Sequence, residues 1–449
     1  MLSAFANSFK IPELRTRILF TLGLIFISRI VTSVPTPGVD SAELQAAIAD
    51  IESQAGGGMG FMAWIDLFSG GALGQCAVGA LSIWPYISAS IILQLMTAII
   101  PGLERLAREG DTGRQKLNQI TRYLTLAICV IQGGFLAVSL QNPAALGLTR
   151  QIVQNPGTAF VLMTILTMTT GTMILMWLGE QVTERGIGNG VSVIITVNIV
   201  SSLPQAIFYM GRMFGGGAEA RYGWFHLVGL LVLVFVVTAA TIALTQGQRK
   251  VPIHTAKRVV GNKVYGGQNS YMPLRVNYSG VMPIIFAAPM IAFPTMILGK
   301  ISWDWCRSLN AALQLGQPMY LLLYGALILF FSYFWVATQF NPLQIADDLK
   351  RNSGYVPGIR PGRPTAEFLD KTMTRITLVG AIGLTTIAII PTVLNAQFGV
   401  PWLVSSFMGG TSLLIIVGVL LDTMRQVESH LLMRHYDGFL KKGRLRGRR

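Results

Sequence analysis

The chain has 449 residues, 52% of them hydrophobic and 12% charged, with a formal net charge of +15. So little charged surface excludes a soluble globular enzyme of this length. Ten segments are instead apolar over the roughly 20 residues that a spanning helix needs, which predicts an all-α, polytopic membrane protein with no soluble enzyme domain.

The first span, 18–34, has no small-residue cleavage site and reads as a retained helix, not a removed signal. It carries Arg29 towards its outer end. An intramembrane charge is costly and often functional, although a long side chain near a helix end also snorkels to water. The outer loop from Pro35 to Gln75 contains "SQAGGGMGFMAWIDLFSGGALGQ" and has no Lys or Arg. Its stretch Met62 to Leu73 is apolar but too short to span, so a re-entrant helix with swinging glycine flanks is expected. Span 2, 76–100, holds Ser82, Pro85, Tyr86, Ser88, Ser90 and Gln94, polar or helix-bending groups that lipid alone gives no reason to keep. Pro85, and Pro283 in span 7, are expected to break one backbone hydrogen bond each and loosen their helices.

Spans 3 and 4 are read at 121–141 and 158–178. The segment "ERGIGNGVS", 184–192, has the glycine spacing of a phosphate loop, but it follows a span instead of a strand and lacks a Gly-Lys-Ser/Thr ending. It predicts a tight inner turn that delivers Val191 to the start of span 5, 191–210. The Gly-rich outer stretch 211–224, "GRMFGGGAEARYG", reads as a hinge before span 6 at 225–245. The inner loop 246–277 places Val-, Ile- and Tyr-rich runs around Gly261-Asn262, a hairpin signal. Spans 7 and 8, at 278–299 and 319–340, lead to a second inner loop, 341–373, read as a short amphipathic helix followed by a Pro/Gly loop. Spans 9 and 10, at 374–396 and 401–421, precede a basic, partly helical tail.

Alternate loops, with both tails and the span ends that adjoin them, hold 29 of the 35 Lys and Arg, which predicts both termini on the cytoplasmic side. The chain therefore divides into a first half, 1–210, the hinge 211–224, a second half, 225–422, and a cytoplasmic tail, 423–449. Five spans per half turn the second half upside down relative to the first. "SIWPYISAS" (82–90) matches "GVMPIIFAA" (280–288), and "GVSVII" (190–195) matches "GTSLLI" (410–415), as inverted repeats do. Ile83 and Ile87 lie one helical turn apart, as do Val191 and Ile195, and Ile285 and Ile415 hold the matched places in the second half. Facing halves would gather these six into an apolar ring that excludes water and ions around a central pore. Ordinary helix packing is the bland alternative.

No catalytic or metal constellation stands out. Cys76, Cys129 and Cys306 are scattered, and His226, His254, His430 and His435 form no ligand motif. Lys257, Arg258 and Arg360 stand at inner-loop tips, on scaffolds that favour a docking surface over topology alone. A secondary transporter is the competing reading, but from Val191 to Phe340 the only acids are Glu219 and Asp304, both in outer loops, which argues against ion coupling. A lipid-modifying enzyme lacks its catalytic groups.

The sequence resembles the SecY/Sec61-alpha family, the channel subunits of the Sec protein translocase, from about Phe9 to the tail. The resemblance rests on "PTPGVD" (35–40), "FSGGAL" (68–73), "WPYISAS" (84–90), "ERGIGNGVS", "AKR" (256–258) with "YGGQ" (265–268), "FNPLQIADDLKRNSGYVPGIRPG" (340–362) and "GGTSLLI" (409–415). Trp84 stands where the family often has Met, and Val191 where Ile is commoner. The resemblance implies a non-enzymatic, cofactor-free channel in the bacterial inner membrane that passes unfolded precursors and releases apolar segments into lipid. It implies a pore ring of Ile83, Ile87, Val191, Ile195, Ile285 and Ile415. It implies a plug over about 63–73, including Leu67, Phe68, Ser69, Gly70 and Gly71. It implies a lateral gate with Ser88, Ser90, Gln94, Asn277 and Pro283, and partner docking through Lys257, Arg258 and Arg360. The implied partners are SecE, SecG, the SecA ATPase, the ribosome, signal peptides and membrane lipid, with SecDF and YidC more loosely attached.

Overall fold

The computed structural model describes residues 11–41, 43–46, 66, 69–141, 152–153, 155–214, 223–255, 258–260, 263–265, 269–298 and 303–442. The chain forms two compact units, Met1–Phe208 with Val419–Arg449, and Tyr209–Gly418. It is a mainly helical membrane protein. Among the described residues six helices are long and apolar enough to cross a membrane, or up to eight if each of two bent pairs is one span. The other two expected spans coincide with a helix that carries Arg15, Arg17 and Arg29 and with a helix of 17 residues.

The first unit contains α1 (Pro12–Ser33), α2 (Trp84–Ile99), α3 (Pro101–Arg108), α4 (Asp111–Gln141), α5 (Thr158–Arg185) and α6 (Gly190–Ser201). It also holds the start of α7 (Leu203–Phe214) and, from Val419, the end of a C-terminal helix (Thr411–Lys442). α4 packs on both α2 and α5. Cys76, Ala80, Leu140, Ile152, Phe160 and Met168 form one core cluster of this unit.

Span 2 differs from its expected form. Its helix begins at Trp84, and residues 76–83 are turns apart from Ala77, which bridges to Pro35. The reason lies in where the backbone finds partners. Val78 N–H donates to Val34 O at 2.8 Å, Gly79 N–H donates to Val31 O at 3.2 Å, and Cys76 O accepts Thr36 N–H at 2.9 Å. The segment is thus tied to the C-terminal end of α1 as well as by its own short turns. It also lies so close to α5 that a Cβ on Gly171 would sit 2.2 Å from Val78 O. Cys76 and Ser82 take positive φ, +47° and +53°, which closes the helical route. Pro85 consequently occupies the first turn of α2, where no backbone donor is needed. It starts the helix and does not loosen it, contrary to the expectation.

The second unit contains α8 (Trp224–Gln246), α9 (Met282–Leu298), α10 (Asp304–Ala312), α11 (Pro318–Gln339), α12 (Pro342–Arg351), α13 (Arg363–Phe398), α14 (Trp402–Gly409) and the first turns of α15 (Thr411–Lys442). Ile284, Ala287, Ile291, Tyr324, Ile328 and Leu384 are among its buried core. Pro283 is the second residue of α9, so it too initiates its helix; the prolines inside α9 are Pro289 and Pro294. The loops 246–277 and 341–373 both carry strands: β1 (Gln248–Thr255), β2 (Arg258–Val260), β3 (Lys263–Tyr265), β4 (Asn269–Arg275) and β5 (Gly354–Tyr355). β2 and β3 pair antiparallel with Val260 opposite Lys263, which is the hairpin expected around Gly261-Asn262. β1 pairs with β4 on one side and with β5, from the other inner loop, on the other. Val251, Leu274, Val356, Leu369 and Met373 bury this sheet against α11 and α13.

The close approaches make a stability prediction. Gly171→Ala places a methyl group against backbone and should cost about 1–3 kcal/mol. Gly229→Ala, where a Cβ meets nothing within 4 Å, should be neutral or stabilising by up to about 1 kcal/mol. The midpoints of thermal unfolding in detergent, compared with the unsubstituted protein, check both.

Candidate functional site

The turn after α5 shows how the chain positions the start of α6. Helix α5 ends at Gly186, Gly188 has φ +91°, and Asn189 caps α6, its side chain accepting Ser192 N–H at 3.4 Å. Ile187 N–H donates to Thr21 Oγ1 at 3.2 Å, Gly188 N–H to Gln426 Oε1 at 2.9 Å, and Gly190 N–H to Thr183 Oγ1 at 2.9 Å. These donors already have protein acceptors, so the loop does not cradle a phosphate. A Cβ on Gly190 would lie 1.9 Å from Gly179 O, which lets α5 and α6 touch backbone to backbone. Leu14, Ile187 and Val427 pack beneath the turn. The C-terminal helix therefore takes part in holding it, a role that the sequence pattern concealed because Gln426 lies 238 residues away from its partner.

Ile83 caps α2 and is fully buried; Ile87, whose N–H donates to Ile83 O at 3.1 Å, is buried one turn on. Val191 and Ile195 lie one turn apart on α6; Ile195 is buried, and Val191 is half-buried with its Cγ2 3.3 Å from the place of a Gly179 Cβ. In the second unit Ile285 and Ile415 are buried. Their predecessors Ile284 and Leu414 belong to that unit's core, so Ile285 and Ile415 project about 100° further round their helices. A Cβ on Gly410 would lie 2.1 Å from Pro391 Cγ, an approach that seats the first turn of α15 on α13.

Of the expected plug, Leu67 and Phe68 lie outside the described residues. Ser69 is buried, and Gly70 and Gly71 have φ +71° and +85°. Asp66 organises this stretch: its Oδ1 accepts Gly74 N–H at 2.8 Å and the Ser69 hydroxyl at 3.3 Å, and its carbonyl accepts Gly71 N–H at 3.0 Å. Burial raises the Asp66 carboxyl above its ordinary range, and these hydrogen bonds act in the opposite direction. Arg29 reaches the same stretch, donating from Nη2 to Gly70 O at 3.2 Å and from Nη1 to Asn198 Oδ1 at 3.1 Å.

Among the expected gate residues, Ser88 and Ser90 are half-buried and Gln94 is exposed on α2. Asn277 and Pro283 are buried in the second unit, with Asn277 Oδ1 accepting the Ser279 hydroxyl at 3.4 Å. Lys257 lies outside the described residues, Arg258 is the first residue of β2, and Arg360 is exposed in the loop after β5. Arg249, Lys371 and Arg375 line a cavity of about 250 Å³ with Phe368 and Thr372, on β1 just after the C-terminal end of α8 and in the first turns of α13. Sequence reading missed this basic cleft because β1 and α13 are distant in the chain. No metal-binding group of His, Cys, Asp and Glu occurs among the described residues.

A family model, SecY, matches residues 77–424. The chain is 44% identical over 443 residues to the protein translocase subunit SecY of Escherichia coli (strain K12), across 97% of this chain and 96% of that protein. The chain belongs to the SecY family. It is also 42% identical over 449 residues to the SecY subunit of Streptomyces coelicolor, covering 98% of this chain and 100% of that one. A solved structure described as that of a protein conducting channel matches at TM-score 0.57 and 16% identity, over 92% of this chain and 91% of that one. Sec61 in a canine ribosome-channel complex matches at TM-score 0.53 and 16% identity, with the same coverage. Both share the fold of this SecY-family chain.

The turn before α6 yields a prediction. Thr183→Val removes the acceptor of Gly190 N–H and should cost about 1–3 kcal/mol, whereas Thr183→Ser keeps the oxygen and most of the stability. Amide hydrogen exchange at Gly190 should speed up in the Val variant and stay near its original rate in the Ser variant.

Proposed function

We propose that this SecY-family chain is the protein-conducting channel of a translocase, passing unfolded polypeptides across the membrane and releasing apolar segments sideways into lipid. Near full-length identity of 44% to a protein translocase subunit carries the reading. The physics of the cargo supports it. An extended chain in hydrocarbon leaves each backbone group unpaired, at several kcal/mol apiece, and its charges cost more. A cargo of any sequence therefore needs a wet path, and that path must close to ions. A thin ring of branched aliphatic side chains meets both needs, because it dewets when empty and grips no particular sequence. Ile83, Ile87, Val191, Ile195, Ile285 and Ile415 are the proposed ring, and the segment about 63–73 is the proposed barrier on its outer side.

The seam for sideways release is assigned to α2, α4, α9 and α11. Ser88, Ser90 and Gln94 are small or polar groups on α2 that allow helices to approach and part, and Pro289 and Pro294 soften α9. The energy comes from partners: the SecA ATPase or a ribosome docking on the basic inner loops through Lys257, Arg258 and Arg360. β1 joins those loops into one sheet, so a partner that grips one loop holds the other. SecE and SecG are the companion subunits, with SecDF and YidC more loosely attached. The proposed location is the bacterial inner membrane, with both termini cytoplasmic, in keeping with the basic residues of alternate loops.

Proteoliposomes holding the chain with its companion subunits test this. They should take up no small solute, yet should protect an unfolded precursor from external protease once SecA and ATP are supplied. Uptake of a solute without precursor transport would favour the transporter reading. Replacing Ile87 and Ile195 together by Asn should wet the ring and raise chloride leak through the resting channel. An unchanged leak would remove these two residues from the ring.

A further inference from the structure

Arg29 sits at a junction that the channel reading leaves unexplained. Its guanidinium bridges three segments: α1, which carries it, the Gly70 turn, and α6 through Asn198. Asn198 is 0% exposed and passes the chain on, its Nδ2 donating to Ser82 Oγ at 3.3 Å. Ser82 lies directly before Ile83, in the left-handed turn that launches α2. Gly70 is fitted closely to this junction. Besides its positive φ, a Cβ there would fall 2.4 Å from Arg29 Nη1, 2.9 Å from Ser201 Oγ and 3.1 Å from Asn198 Cα. A larger residue would push the guanidinium off the carbonyl that it holds.

The chemistry of the contact suits a clasp. Among the described residues Arg29 donates to neutral acceptors, a backbone carbonyl and an amide oxygen, so hydrogen bonds hold its charge. Asp66 Oδ1, the nearest acid in sequence to Gly70, is engaged by Gly74 N–H and the Ser69 hydroxyl. Charge-assisted hydrogen bonds are stronger than neutral ones, yet Arg29 is half-buried and water can replace its acceptors. A planar guanidinium reaches two acceptors in different directions, which one ammonium does less well.

We propose that Arg29 and Asn198 are positioning residues that clasp the Gly70 turn between α1 and α6 and so set the threshold at which that turn yields to a precursor. This inference rests on the reading of the 63–73 segment as a barrier. Weakening the clasp shifts the resting balance towards the unclasped state, so a weaker entering segment suffices to open the path.

The test uses the full chain with its companion subunits in proteoliposomes, read by chloride leak and by transport of two precursors, one with an intact apolar signal and one with a shortened signal. Arg29→Gln should raise resting leak about ten-fold or more, as expected from losing charge-assisted bonds. It should also increase transport of the shortened-signal precursor while leaving the intact one near its original rate. Arg29→Lys, which keeps the charge and one donor, should lie between and serves as the second variant if Arg29→Gln does not fold. In a chain lacking residues 63–73, Arg29→Gln should add no further leak, whereas a merely structural role would lower folded yield in both backgrounds. If the deletion itself causes no leak, the barrier reading fails. If the deletion leaks but neither Arg29 variant changes leak or signal dependence, the clasp is overturned and the barrier reading stands.

Discussion

A backbone that runs within a membrane must satisfy its own polar groups, and this constraint explains where the chain departs from helix. The non-helical stretches described here lie where side chains or other segments supply acceptors. Asp66 and Ser69 serve the turns at 71–74, the C-terminal end of α1 serves residues 76–79, and Thr21, Thr183 and Gln426 serve the turn at 187–190. Each irregular segment is thus specified twice, once by glycine or another residue in a left-handed conformation and once by a hydrogen-bonding group, nearby for 71–74 and partly distant in sequence for the other two.

The same constraint separates what was legible from what was not. Most of the apolar spans, the pairing of β2 with β3 and the amphipathic α12 depend on neighbours in sequence and appear where expected; the tight turn at 187–190 does too, but Thr21 and Gln426 hold it from afar. The start of α2 at Trp84 depends on carbonyls of α1 more than 40 residues earlier, so hydropathy alone extended the helix to residue 76. The prolines followed the same error: once the helix was drawn too long, Pro85 looked internal.

The candidate site was legible in its residue types and only partly in its arrangement. Helical spacing put Ile83 with Ile87 and Val191 with Ile195 on shared faces, and burial is compatible with that. The half-burial of Val191 against Gly179 shows what spacing omits: a β-branched residue at the first turn of α6 spends part of its surface on the glycine contact that brings α5 close. The basic cleft of Arg249, Lys371 and Arg375 and the pairing of β5 with β1 were invisible because both join segments about 100 residues apart.

Arg29 shows why a lone intramembrane charge needs its partners before it can be interpreted. Snorkelling predicts a side chain directed along α1 to water, with no fixed acceptor. The observed fork instead ends on Gly70 O and Asn198 Oδ1, and Asn198 is wholly buried and bonded onward to Ser82. A side chain seeking only water has no need of a glycine whose missing Cβ makes room for it. That Gly70, Arg29 and Asn198 are mutually fitted places the charge in service of the turn, and it ties the outer segment to the residue that precedes the first member of the proposed ring.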